Sequence, residues 1–163
     1  PYGMWIGAPG EDTSEANAGS AHAFSFVDIG CSSLSVGPAE VSAQNLKTIH
    51  FEINAGKKFA GKPYFLLGSA QPFTTPTLVG GMALPLTLPD DYGFFLIYNA
   101  NKGGQMNTVA YLDANGRGSA SIDLTQVNVP LLNGMQLKHA FFVFNEVGLT
   151  KFTSSVATVK VIF

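Results

Sequence analysis

Oxygen-bearing side chains at alternate positions are the first groups in this sequence that suit a definite chemistry. Asp113-Ala114-Asn115-Gly116 puts a carboxylate and a carboxamide two residues apart just before a glycine. A calcium loop opens in the same way, although here the later carboxylates and the closing glutamate are missing. The same four residues suit a tight turn, so Asp113 and Asn115 are either calcium ligands or turn formers. Glu11-Asp12-Thr13-Ser14-Glu15 is a second oxygen-rich stretch. Glu11 and Asp12 are calcium candidates there, with a solvated loop as the alternative. Calcium is the one cofactor these residues suggest.

Other chemistries find less support. His22, His50 and His139 stand far apart. Two ligands on one face need His-x-His on a strand or the i, i+4 spacing on a helix, and neither occurs. Exposed or hydrogen-bonded strand histidines are expected instead. The Gly-x-Ser-x-Gly elbow is absent, since Gly68-Ser69 and Gly118-Ser119 both lack the second glycine. Asp90-Asp91 follows Pro89, where an aspartate commonly bonds the backbone of a turn. Glu52 and Glu146 are isolated acids. No catalytic residue is assigned, and the chain is expected not to be an enzyme. Of the aromatic residues, 13 are Phe and one is Trp, which favours packing over sugar recognition. Trp5, Tyr64, Tyr92, Tyr98 and Tyr111 are the residues available for a sugar-binding face, which needs a flat apolar ring with a polar tip.

The elements that would hold these groups are strands. Met106 to Leu124 reads as a hairpin turning at Asn115-Gly116, the dipeptide of a type I′ turn. On its return arm Ala120, Ile122 and Leu124 alternate with Ser119, Ser121 and Asp123, the period of a half-buried strand. Lys47 to Asn54 alternates as well, with Ile49, Phe51 and Ile53 inward. Tyr64 to Ser69 and Phe94 to Tyr98 are continuous apolar runs of strand length and predict strands buried on both faces. Thr77 to Leu88, interrupted by Gly80-Gly81 and Pro85, predicts a broken or edge strand. Val127 to Leu132, Met135 to Phe144 and Thr153 to Phe163 complete the set. Eight to ten short strands with little helix predict an all-β antiparallel sandwich.

The chain has 163 residues, of which 46% are hydrophobic and only 12% charged, with a net charge of −2. One domain with a small appendage fits that length. With 9 basic and 11 acidic residues and no basic stripe, nucleic acid is excluded as a partner. No apolar run reaches the roughly 18 residues of a membrane span. So little charge suits surfaces covered by other chains, or a neutral secreted domain. Cys31 is the one cysteine, which rules out an internal disulfide and suits a small packed residue. The sequence opens at Pro1 without an initiator Met, so a processed product is expected.

Two stretches carry a resemblance. Ile6-Gly7-Ala8-Pro9, Glu11-Asp12 and Gly19-Ser20-Ala21 before Phe24 resemble the end of an FG-GAP repeat, the unit of integrin-type β-propellers, without its Asp-rich calcium loop. A single such hairpin, residues 1–27, cannot make a blade, so the expectation is either the tail of a longer protein whose propeller lies upstream or a hairpin recruited as a donor or sheet extension. From Phe51 onward, Phe59-Ala60-Gly61, Tyr64, Leu66-Leu67-Gly68-Ser69, Leu84-Pro85-Leu86, Leu112 to Gly116 and His139-Ala140-Phe141 resemble a C-terminal β-domain of large secreted bacterial proteins of planctomycete and deltaproteobacterial type. That resemblance implies an extracellular or cell-surface location and no particular reaction. Residues 28–163 are therefore expected to form the sandwich. The expected role is a non-catalytic structural, adhesion or assembly module that associates with itself or with other surface proteins through edge strands. The alternative is a carbohydrate-binding module.

Overall fold

The structure is a computed structural model, and it describes residues 6–12, 19–22, 33–102, 106–126 and 134–162. Two compact units are present, Pro1–Cys31 and Ser32–Phe163. In the first, β1 (Ile6–Asp12) pairs antiparallel with β2 (Gly19–His22), with a register shift between Gly7 and Asp12. The expected N-terminal hairpin is therefore formed.

The second unit is a β-sandwich. Its strands are β3 (Leu34–Gly37), β4 (Glu40–Ser42), β5 (Thr48–Asn54), β6 (Pro63–Ser69), β7 (Thr77–Val79), β8 (Met82–Leu84), β9 (Met106–Asn107), β10 (Val109–Tyr111), β11 (Arg117–Asp123), β12 (Gln136–Phe144), β13 (Thr150–Thr153) and β14 (Ala157–Ile162). A six-stranded sheet, sheet I, runs β10-β6-β12-β14-β4, with β13 also paired to β12. A four-stranded sheet, sheet II, runs β3-β5-β11-β9. Pairing is antiparallel except between β14 and β4, which run parallel.

Alternation decides which side chains enter the core. In β5, Ile49, Phe51 and Ile53 are buried while His50 and Glu52 are exposed, as the sequence predicts. In β11, Ala120 and Ile122 are buried, and Leu124 just beyond is buried with them. These two strands pair in register from Thr48–Asp123 to Asn54–Arg117. They face Tyr64 and Leu66 of β6, Leu137, Phe141 and Val143 of β12, and Val159 and Val161 of β14. Tyr64 also joins the two sheets directly, because its hydroxyl donates to the Ser119 carbonyl. The outer face of sheet I has a second, smaller core. There Leu67 and Ala140 pack with the fully buried Leu84 and Leu86 of the β7–β8 hairpin and the segment after it. The expected broken strand over Thr77–Leu88 is this covering hairpin, turning at Gly80-Gly81.

Three expectations are corrected. Phe94 to Tyr98 is not a strand but part of helix α1 (Asp91–Asn99). Asp90 caps it: its Oδ1 accepts from the Gly93 amide at 2.7 Å. Tyr92, Gly93 and Leu96 are buried while Phe94, Ile97 and Tyr98 point to solvent, which is helical spacing. The hairpin of Met106 to Leu124 also divides. β9 stays beside β11, with Met106 opposite Ile122. β10 crosses to sheet I, with Val109 opposite Phe65. Thr108, fully buried, is the crossing point, and its carbonyl accepts from the Leu66 amide at 2.8 Å. The turn is not type I′, which needs positive φ at both central residues. Gly116 has φ +74°, while among the described residues Asn101 is the non-glycine residue with positive φ. The Gly116 amide donates to the Asp113 carbonyl at 3.0 Å and the Asp113 amide to the Arg117 carbonyl at 2.7 Å. This is a three-residue loop closed by a left-handed glycine.

Candidate functional site

The groups that could act chemically gather at three places. The first is the junction of β6, the end of the β7–β8 segment and helix α1. Asp90 is nine-tenths buried there and accepts four hydrogen bonds. Its Oδ1 takes the Gly93 amide. Its Oδ2 takes the Ser69 hydroxyl at 2.9 Å and the Ala70 and Gln71 amides at 2.7 and 3.3 Å. The Ser69 Oγ also lies 2.8 Å from the Thr87 carbonyl. The carboxylate thus ties the strand end to the helix start.

Beneath it, on the inner face of sheet I, His139 is completely buried. Its Nε2 lies 2.8 Å from the Tyr92 hydroxyl, and its ring packs against Phe51 with centroids 4.7 Å apart and planes tilted by 54°. Burial in this apolar pocket drives the imidazole pKa down to about 3, against a smaller upward pull from the carbonyls of Leu137 and Ala157. The ring is therefore neutral. Those carbonyls lie outside hydrogen-bond geometry for Nδ1, which has no partner among the described residues. Burial, together with the charge of Asp90, raises the Tyr92 hydroxyl above its ordinary range. The room for this pair comes from Gly68, which sits opposite His139. A Cβ at Gly68 would lie 2.7 Å from Tyr92 Cε1 and 2.9 Å from His139 Cδ2.

Serine, aspartate and histidine thus come close in space without forming a relay. Successive residues of a strand point to opposite faces. Gly68 faces His139, so Ser69 faces away from it, toward Thr87 and Asp90.

The second place is the Asp113 loop. The Asp113 Oδ1 accepts from the Asn115 and Arg117 amides, both at 2.8 Å. The Arg117 amide and then the Asn115 amide hold its carboxyl below the usual carboxylate range. Asp113 is thus a turn former, and Asn115 is exposed beside it. Among the described residues no group of three or more His, Cys, Asp or Glu converges. Glu11 and Asp12 lie on β1, with Asp12 opposite Gly19, and their side chains fall outside the described residues. Trp5 and Cys31 also lie outside them.

The third place is the open edge of sheet I. A groove of about 570 Å³ runs from Tyr111 across Pro63 to Phe144 and the turn after it. Tyr111 is 74% exposed. Lys62 and Glu146, 3.7 Å apart, and Asn145 supply polar groups at its rim. Of the tyrosines available for sugar recognition, Tyr64 and Tyr92 are buried, and Tyr98 lies on α1 under the ammonium of Lys102 at 3.4 Å. Sequence reasoning missed this groove because the division of the hairpin creates it.

No protein-family model, curated protein or solved structure matches the chain. Among the described residues no helix is long and apolar enough to cross a membrane.

Proposed function

We propose that this chain is a non-catalytic module of a larger secreted protein and that it works by assembly or adhesion at the cell surface. The observation that carries this reading is the outer strand of sheet I. β10 reads Val-Ala-Tyr, has no charged residue of its own, and ends in the exposed Tyr111. An edge of that kind is a template for another strand. The polar groups of Ser69, Asp90 and Asp113 are engaged in holding turns and a helix start, which supports a structural role. The extracellular location rests on the resemblance to C-terminal β-domains of secreted bacterial proteins.

Sedimentation velocity and negative-stain microscopy, with and without calcium, test the reading. Concentration-dependent oligomers or filaments are expected, and a monomer at every concentration under both conditions overturns it. Deleting residues 1–27 separates two routes: association that persists runs through the sandwich, and association that vanishes runs through the N-terminal hairpin.

A second reading is recognition of a neutral oligosaccharide. The groove between Tyr111 and Phe144, with the Lys62–Glu146 pair and Asn145 at its rim, favours it. Amide chemical shifts at Tyr111 and Glu146 that move on adding cellohexaose or chitohexaose would support it.

A further inference from the structure

The edge of sheet I is guarded at one point. The β6 side of the β10 segment is taken up by the Thr108 carbonyl, which accepts from the Leu66 amide at 2.8 Å, and by the Leu112 amide, which donates to the Lys62 carbonyl at 2.9 Å. Antiparallel alternation therefore turns the backbone groups of Val109 and Tyr111 outward. Asn101 covers the first of these. Its Nδ2 donates to the Val109 carbonyl. Its Oδ1 accepts from the Val109 amide at 3.2 Å and the Thr108 amide at 3.1 Å. One carboxamide thus makes the pair of bonds to Val109 that a residue of an incoming antiparallel strand makes. Asn101 reaches it from a left-handed backbone at φ +57°, which Asn tolerates better than most side chains. The backbone of Tyr111 turns the same way as that of Val109, and Tyr111 is 74% exposed. β10 has no lysine or proline to blunt it, so beside its shortness, three residues, the carboxamide is its protection.

We propose that Asn101 is a displaceable guard over a two-fold interface in which β10 of one copy pairs antiparallel with β10 of a second copy. This rests on the self-association reading above and names its site. The edge is self-complementary. A two-fold axis through Ala110 sets Val109 of each copy opposite Tyr111 of the other, and each such pair exchanges two N–H···O bonds. Four bonds between copies then replace the four that the two Asn101 carboxamides make to Val109, while the two Thr108 amides give up theirs. Val109 and Tyr111 lie on one face, which sets a β-branched side chain against an aromatic one across the new junction. No charge on β10 opposes the approach.

The test is sedimentation velocity over a concentration series on the full chain and two variants. Asn101→Gly keeps the left-handed backbone accessible and removes only the carboxamide. It is expected to lower the dimer dissociation constant at least about tenfold. Tyr111→Lys, at an exposed position that leaves the core intact, puts a charge on the edge and is expected to weaken association in both the native and the Asn101→Gly background. Association unchanged by Tyr111→Lys overturns the interface. Association unchanged by Asn101→Gly, in a variant whose circular dichroism matches the native chain, overturns the guard. If the native chain self-associates regardless of both changes, the assembly reading stands on another surface. If no variant associates, both readings fall.

Discussion

Lowering the pH from 7 to 5 loads His139 with a cost that can be worked out in advance. The imidazole is fully buried, and its folded pKa lies at about 3 against an ordinary 6.5. A base whose folded pKa is depressed is neutral in the native state, while the unfolded chain takes up a proton as the pH falls below 6.5. The stabilising difference is whole above that value and shrinks as the pH drops toward 3. At pH 5 the unfolded form gains about 2 kcal/mol relative to pH 7, from 1.36 kcal/mol per pH unit over the interval that counts. With a urea slope of about 2 kcal/mol per molar, the unfolding midpoint moves down by about 1 M. Other groups titrate in this range, so the readout is a difference against Tyr92→Phe/His139→Phe. That double variant replaces both partners of the 2.8 Å bond with apolar rings of similar shape, a change that costs little in itself. The midpoint of the native chain should fall more steeply than that of the variant between pH 7 and 5. Parallel slopes would refute the buried neutral histidine, and a smaller gap would mean that protonated His139 finds water or a carbonyl.

Three further changes test the local arguments. Gly116→Ala puts a Cβ onto the Gly56 carbonyl at a residue with φ +74°, and should cost about 3 kcal/mol from backbone strain and overpacking together. Gly134→Ala, at φ +75° with open space around it, should cost only about 1 kcal/mol, and equal losses in urea unfolding would refute the contact. Asp90→Asn keeps an oxygen for Gly93 but turns an NH₂ group toward the Ser69 hydroxyl and the Ala70 and Gln71 amides. It should destabilise by about 3 kcal/mol and speed hydrogen exchange at Ala70, Gln71 and Gly93, whereas unchanged exchange would remove Asp90 from its linking role.

The parts readable from sequence are those in which one face meets the core and the other meets water. β5 and β11 show this, because Ile49, Phe51, Ile53, Ala120 and Ile122 alternate with polar residues. Where that contrast is lost, the period is lost with it. Phe94 to Tyr98 is apolar throughout, so helix and strand look alike, and the decision falls to Asp90 and to Tyr92 and Leu96 packing beneath. The bonds of Asp90 to Ser69, Ala70 and Gln71 span 19 to 21 residues, beyond any local pattern. The division at Thr108 is hidden for the same reason, since it depends on the Leu66 amide in another strand. At Asp113 the alternating oxygens are visible in the sequence, but the use of the Asp113 carboxylate on the Asn115 and Arg117 amides is one of two readings that the sequence leaves open.

The pleat that builds the core also decides where chemistry remains accessible. Bringing Ser69 onto the face of His139 requires β6 to slip by one residue. That slip would turn Tyr64 and Leu66, now completely or almost completely buried, to the outer face, since every side chain of a slipped strand changes sides. Each such side chain forfeits about 1.5–3 kcal/mol of burial, a large share of the stability of one domain. The sandwich and a Ser69–His139 relay therefore exclude each other. What the same pleat leaves open is a row of backbone groups on β10. Val109 is answered there by Asn101, and on the interface proposed above that edge is where association is expected.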